Sequence, residues 1–346
     1  MVKLKEATKE LMLASKELKL SGNWLPYGGS YGTPSYTLTG DICVVDGLIK
    51  HSGWSNTLAV LPAACRPSKR LIFNLNNHAK VCRVDVDTNG VVSWISGGKD
   101  HAWISFRAKL IHEALDPKFF CNTKKFFVTS KAKAKATSVA LTNSWRSYGG
   151  SYGTATWRVS TDESGANACF VEGLIRSGKY GLMATLPAAC RPNKRLIFEV
   201  NNHAKQCRVD VLSNGQVYWV SGGKDHSWIS LTGIAFMVGS SGGQKTAPLT
   251  NSWRSYGGSY GTATYAKFGS LCFVEGLIKG GTWGKGYAAM PTACRPSKRL
   301  IMNTNNHANS ARSDVLTNGV IQYTAGSKDH GWMSLTGITF VSAGTN

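Results

Sequence analysis

One passage of this chain is written three times. Asn23-Trp24 with Tyr27-Gly28-Gly29-Ser30-Tyr31-Gly32-Thr33 returns as Asn143-Ser144-Trp145 with Tyr148 to Thr154, and again as Asn251-Ser252-Trp253 with Tyr256 to Thr262. Each copy continues through Gly-Leu-Ile (Gly47, Gly173, Gly276), Ala-Cys-Arg-Pro (Cys65, Cys190, Cys294) and Lys-Arg-Leu-Ile (Arg70, Arg195, Arg299). Asn-Asn-His-Ala (His78, His203, His307) and Lys-Asp-His-x-Trp (Trp103, Trp228, Trp332) follow. A period of about a hundred residues is too long for a solenoid unit and right for a small domain. The chain therefore reads as three sister domains in tandem.

Within a copy the periodicity is that of strands. Cys169 to Ile175 and Arg195 to Val200 are short, rich in β-branched and aromatic residues, and bounded by Gly or Pro. Arg208 to Val211, Ser213-Asn214-Gly215 and Gln216 to Val220 predict a hairpin, with Asn-Gly supplying two positive-φ residues for a tight turn; Asn89-Gly90 and Asn318-Gly319 match it. Six to eight strands in roughly ninety residues predict an all-β fold of three tandem jelly-roll-like β-sandwiches. The expected boundaries are 21–107, 141–238 and 249–346. Residues 1–20, with Leu4, Ala7, Leu11, Ala14 and Leu18 at helical spacing, predict an amphipathic helix that packs on the first domain or anchors elsewhere. Residues 108–140 form a basic connecting arm carrying Phe119, Phe120, Phe126 and Phe127, and 239–248 a Gly/Ser linker.

The nine cysteines occupy three repeat positions, with Cys121 outside them. Cys65 to Cys82 and Cys190 to Cys207 are equally spaced, which permits an intradomain bridge, but Ala311 replaces the partner in the third copy. Buried free thiols are the expectation, and the absence of CxxC pairs argues against zinc.

Lys and Arg total 40 against 19 Asp and Glu, a net charge of +21, which favours anionic surroundings. Lys131, Lys133 and Lys135 in the arm are the candidate contacts to an acidic partner or, non-specifically, to nucleic acid. No helix-turn-helix, finger or RNP-type motif supports base reading. Residues 1–20 lack the apolar core of a secretory signal, and no stretch reads as a membrane span; the expectation is cytoplasmic synthesis.

Candidate ligand or partner contacts are the polar runs between strands. They comprise Asn77, His78, Asp100 and His101; Asn202, His203, Asp225 and His226; and Asn306, His307, Asp329 and His330. Asn-Asn-His also suits a bend that binds its own backbone. An Asp-His pair on extended chain points to opposite faces, and no nucleophile motif or phosphate loop accompanies it. The expected protein is not an enzyme and uses no cofactor or metal.

Leu186-Pro187, Arg191-Pro192-Asn193-Lys194-Arg195-Leu196-Ile197-Phe198, Arg208 to Val217 and Trp228 to Phe236 resemble the small β-domain at the end of phage tail-fibre and minor structural proteins. The likeness covers about four fifths of the chain, in three copies. It implies a virion protein, capsid-associated or fibre-like, whose partners are other assembly proteins. The alternative is a multivalent lectin binding glycans through Trp, Tyr, Asn and His, cytosolic or exported without a signal. Three fused copies suggest a built-in pseudo-trimer, with a string of beads also open.

Overall fold

A computed structural model describes residues 15–40, 42–106, 108–112, 135–239 and 243–343. No helix of seven or more residues occurs among them, and the protein is all-β with several sheets. The second repeat shows the plan. Thr137–Ser138, Thr156–Thr161, Asn167–Glu172 and Ile234–Val238 form one antiparallel sheet. Leu182–Thr185, Gln216–Gly222, Lys205–Val211 and Leu196–Asn202 form another, edged by Ala140–Leu141. Arg146–Ser147, Leu174–Arg176 and Trp228–Ser230 make a third, smaller one. Cys169, Val171 and Phe236 from the first sheet meet Phe198, Val200, Val209 and Val211 from the second, and this is the repeat's core. Alternating strands bury one face in this way.

The hairpin at Asn214-Gly215 is where expected but is made differently. Gly215 alone takes positive φ (88°). Its N–H donates to Leu212 O and the Leu212 N–H donates to Gln216 O, each at 2.9 Å. That is a type I turn closed by a left-handed glycine. A Cβ on Gly215 would stand 2.3 Å from Leu186 O, so the position requires glycine for space as well.

Four further expectations are corrected. The helix over 1–20 does not reach residues 15–20: Lys16–Glu17 is a strand paired with Tyr36 and Ser35, and Leu18 and Leu20 enter the core. Leu18 and Leu20 are two apart, the strand period, and pairing to the sheet overrides a weak helical pattern; residues 1–14 lie outside the described residues. The arm is shorter than 108–140. Ala108–His112 pairs with Ile42–Asp46, taking the place that Ile234–Val238 and Ile338–Val341 hold in the other repeats. Thr137–Ser138 and Val139 already belong to the second repeat. Phe119, Phe120, Phe126, Phe127, Lys131 and Lys133 lie outside the described residues, and Lys135 is exposed. The stretch 239–248 is likewise part structure, since Lys245–Thr246 pairs with Thr264–Phe268 and Ala247 is buried.

The cysteines are the fourth correction. Cys43–Cys65, Cys169–Cys190 and Cys272–Cys294 are disulfides, with Cα–Cα distances of 5.3 to 5.5 Å. Cys82 and Cys207 are free and buried. Spacing along the chain misled because the bridge joins a strand to a turn on the opposite layer. The usable signal was that both bridging positions are Cys in all three copies. Burial pushes the Cys82 thiol up to about 12 and raises that of Cys207 too, so neither should react with iodoacetamide until the chain unfolds. Cys207→Ala, which copies Ala311, should cost about 1 kcal/mol in denaturant melts. A native Cys190–Cys207 bridge in a non-reducing peptide map would overturn both expectations.

The three repeats close into a ring around a pseudo-threefold axis. Leu71–Asn77, Leu196–Asn202 and Leu300–Asn306 approach one another pairwise within 8 Å, Cα to Cα. Leu196, Phe198 and Val200 face their own core, whereas Ile197, Glu199 and Asn201 face the axis and are buried there. A separate apolar cluster draws on all three repeats: Ile42 and Val44, then Phe170 and Met237, then Phe268, Leu271 and Phe273.

Candidate functional site

The thrice-written passage and the basic Lys-Arg motif are the two halves of one joint. The Arg70 N–H of the first repeat donates to Ser151 O of the second at 2.7 Å, and Lys69 Nζ donates to Thr154 O and Thr156 Oγ1, both at 2.8 Å. Lys194 and Arg195 repeat this on Thr262, Thr264 and Ser259. Lys298 and Arg299 repeat it on Thr33, Ser35 and Ser30, which joins the third repeat back to the first. The glycine of Tyr-Gly makes room for the lysine stem: Gly153 has φ 57°, and a Cβ there would lie 3.3 Å from Lys69 Cδ. An acid completes two of the joints, as Glu172 pairs with Lys69 at 3.1 Å and Asp46 with Lys298 at 2.7 Å.

Deeper in the first seam, Arg83 is locked to Asp85 through Nε and Nη2, both at 2.6 Å. Its free edge crosses the seam to Tyr152 Oη (3.1 Å) and His203 Nδ1 (3.3 Å), and its plane lies over the Trp228 ring at 5.1 Å. Arg208 meets Tyr260, His307 and Trp332 in the same way, and Arg312 meets Tyr31, His78 and Trp103. A guanidinium only donates, so each histidine Nδ1 accepts and the imidazole is neutral.

The candidate residues therefore divide. His78, His203 and His307 are seam residues, and His101, His226 and His330 pack on them with ring centroids 4.5, 4.5 and 4.7 Å apart. Asn77 is a buried clamp, donating to the carbonyls of His101 and Trp103 and accepting from the His101 N–H. Asn202 and Asn306 do the same for His226 with Trp228 and His330 with Trp332. Asp100 and Asp225 sit on the rim, each 2.5 Å from Lys80 or Lys205. Asp329 accepts from Ser327 and Asn309 instead.

A second repeated feature escaped the sequence reading. In the first repeat Trp24, His51, Trp54 and Trp94 pack edge to face, and Lys99 Nζ lies 4.8 and 5.1 Å from the Trp54 and Trp94 centroids. Trp145, Tyr180, Trp219 and Lys224 form its equivalent, as do Trp253, Trp283 and Tyr323. The inner tryptophans are buried and the outer rings half exposed. The signal available was that positions 54 and 94 stay aromatic in every copy. Such a basin offers flat apolar faces beside a cation, a surface suited to sugar rings or acidic side chains.

The seams carry a pH dependence. Burial first, and then neighbouring positive charge, holds His78, His203 and His307 below the ordinary 6.5. The unfolded chain therefore binds these protons first. Their contribution is fully present above pH 6.5 and is lost as pH falls from there through the depressed values. Glu275, pushed up to about 7 by burial, acts in the opposite sense between pH 4.5 and 7. The clean measurement is a comparison of unfolding free energies with a triple His→Gln variant, whose amide oxygen still accepts from arginine. The wild type should lose more stability from pH 7 to 5, and equal losses would remove the histidines from the account.

Comparison with known proteins adds no relative: no family model, curated protein or solved structure matches this chain.

Proposed function

We propose that the chain is a non-enzymatic structural protein of a virion-type assembly: three jelly-roll-like sandwiches closed into one knob and acting through protein contacts on its outer faces. The observation that carries this reading is the third seam. Lys298, Arg299 and Arg312 bind the first repeat as Lys69, Arg70 and Arg83 bind the second, so a single chain supports a rigid body with three near-equal faces. That form suits contact with a partner that is itself repeated. The likeness to tail-fibre end domains points the same way. The histidines and asparagines that would serve a catalyst instead join repeats and clamp loops. In this reading the segment before residue 15 and the lysines Lys131, Lys133 and Lys135 tether the knob to an acidic neighbour. Density-gradient separation of particles from the producing cells tests it. The chain should band with particles, and its confinement to the soluble fraction would end the structural role.

The aromatic basins favour a second reading, multivalent sugar binding. Selective binding on a glycan array, weakened in a Trp94→Ala and Trp219→Ala double variant, would support it; an array without signal would exclude it.

A further inference from the structure

Three buried acceptors are left over in threefold register on the axis. Asn76, Asn201 and Asn305 are 1 to 2% exposed. The Nδ2 of each donates to the carbonyl of its own turn, His78 (2.9 Å), His203 (2.8 Å) or His307 (2.9 Å). A carbonyl only accepts, so these bonds decide which end of each amide faces the turn. The second N–H of each is used as well: Asn76 donates to Asn303 Oδ1 at 2.7 Å, Asn201 to Asn74 Oδ1 at 3.1 Å, and Asn305 to Gln206 Oε1 at 3.4 Å. The three Oδ1 atoms receive no hydrogen bond from any described residue. Buried acceptors left so are costly and call for an explanation.

The next layer along the same strands is Asn74, Glu199 and Asn303. Glu199, 4% exposed, accepts from Asn74 Nδ2 at 2.7 Å and from Ser310 Oγ at 3.0 Å. The column thus gathers amide oxygens and one carboxylate where three strands come within 8 Å of one another. Neither thiol nor imidazole nitrogen belongs to this set. A set made only of carboxylate and amide oxygens suits a hard cation, whereas zinc and copper sites are built mainly on thiolate and imidazole. One water has two protons to offer three acceptors, whereas a hard cation takes three or more oxygen ligands.

We propose that the axial column binds one oxygen-ligated hard cation, held by Oδ1 of Asn76, Asn201 and Asn305, with Glu199 supplying the counter-charge. Each repeat contributes a ligand, so binding requires the closed ring and stabilises it. The inference rests on the ring and not on any role in a virion.

The test uses the full chain, stripped with EDTA into tetramethylammonium chloride and melted with added CaCl2 or NaCl. The cation that belongs to the site should raise Tm saturably, and a calcium response should come with one calcium per chain by elemental mass spectrometry. Glu199→Gln keeps the acceptor for Asn74 but removes the charge, and should weaken the half-saturating concentration at least tenfold. Asp225→Asn, on the exposed rim, should leave it unchanged. No saturable rise with either cation, or the same midpoint in Glu199→Gln as in the wild type, would overturn the proposal.

Discussion

Residues 135–239 produced alone are expected to self-associate, and the single change Glu199→Asn to tighten that association strongly. The repeat has its own core, so its sheets should form. Freed from the ring, it bares Phe170, Met237, Ile197, Glu199 and Asn201, all buried in the whole chain. It also carries both halves of the joint: Lys194, Arg195 and Arg208 on one side, and Ser151, Tyr152, Thr154, His203 and Trp228 on the other. Three copies can therefore close the same ring. The obstacle lies on the axis, where the intact chain places one Glu between two Asn and a homotrimer would place three carboxylates. Like charges brought together out of water cost several kcal/mol. Asn at that position copies Asn74 and Asn303, which lie beside Glu199 in the ring. Sedimentation equilibrium should show a weak trimer for the natural sequence and one orders of magnitude tighter for the variant. Strict monomers in both cases would mean that the seams contribute little to holding the repeats together.

Asp210→Ala is expected to be among the most damaging single substitutions in the protein. Asp210 is fully buried and accepts from Arg208 through Nε and Nη2, both at 2.7 Å, and from Arg195 Nε at 2.7 Å. Its removal strands the Arg208 guanidinium, itself 5% exposed, against a neutral histidine and a tyrosine. Breaking one side of a buried pair costs about 3–5 kcal/mol, far more than the intact pair is worth. The loss falls at the seam between the second and third repeats. The Arg195 N–H, bonded across it to Ser259 O at 2.8 Å, should exchange with solvent much faster, while amides inside the Leu196–Asn202 pairing change less. Asp225→Ala is the contrast: its pair with Lys205 is solvated, and its loss should leave the melt where it was. Equal effects of the two would refute the assignment of Asp210 to the seam.

The residues that make the seams were all visible in the sequence as motifs, but their purpose was not. Gly-Gly-Ser-Tyr-Gly and Lys-Arg stood out only as marks of the repeat, and Asn-Asn-His as a polar bend or a ligand contact. Each reading is local, whereas a seam pairs residues such as Lys298 and Thr33 that lie at opposite ends of the chain. The bridging cysteines were similarly hidden, because Cys43 and Cys65 meet only when one layer folds over the other. The aromatic basins needed the same step, as Trp24, Trp54 and Trp94 come from three separated segments.

The sequence by itself determined the repeat count, the all-β class and the central strands and hairpin turn of each copy, since these follow from self-similarity, periodicity and backbone stereochemistry over a few residues. Tertiary structure decided which strand faces are dry. Leu196 to Asn202 alternates apolar and polar at its centre as a half-exposed strand does, yet Glu199 and Asn201 are as buried as Phe198 and Val200. Alternation tells one face from the other. Only closure of the ring, which brings three such polar faces together within hydrogen-bonding distance, removes the second face from water.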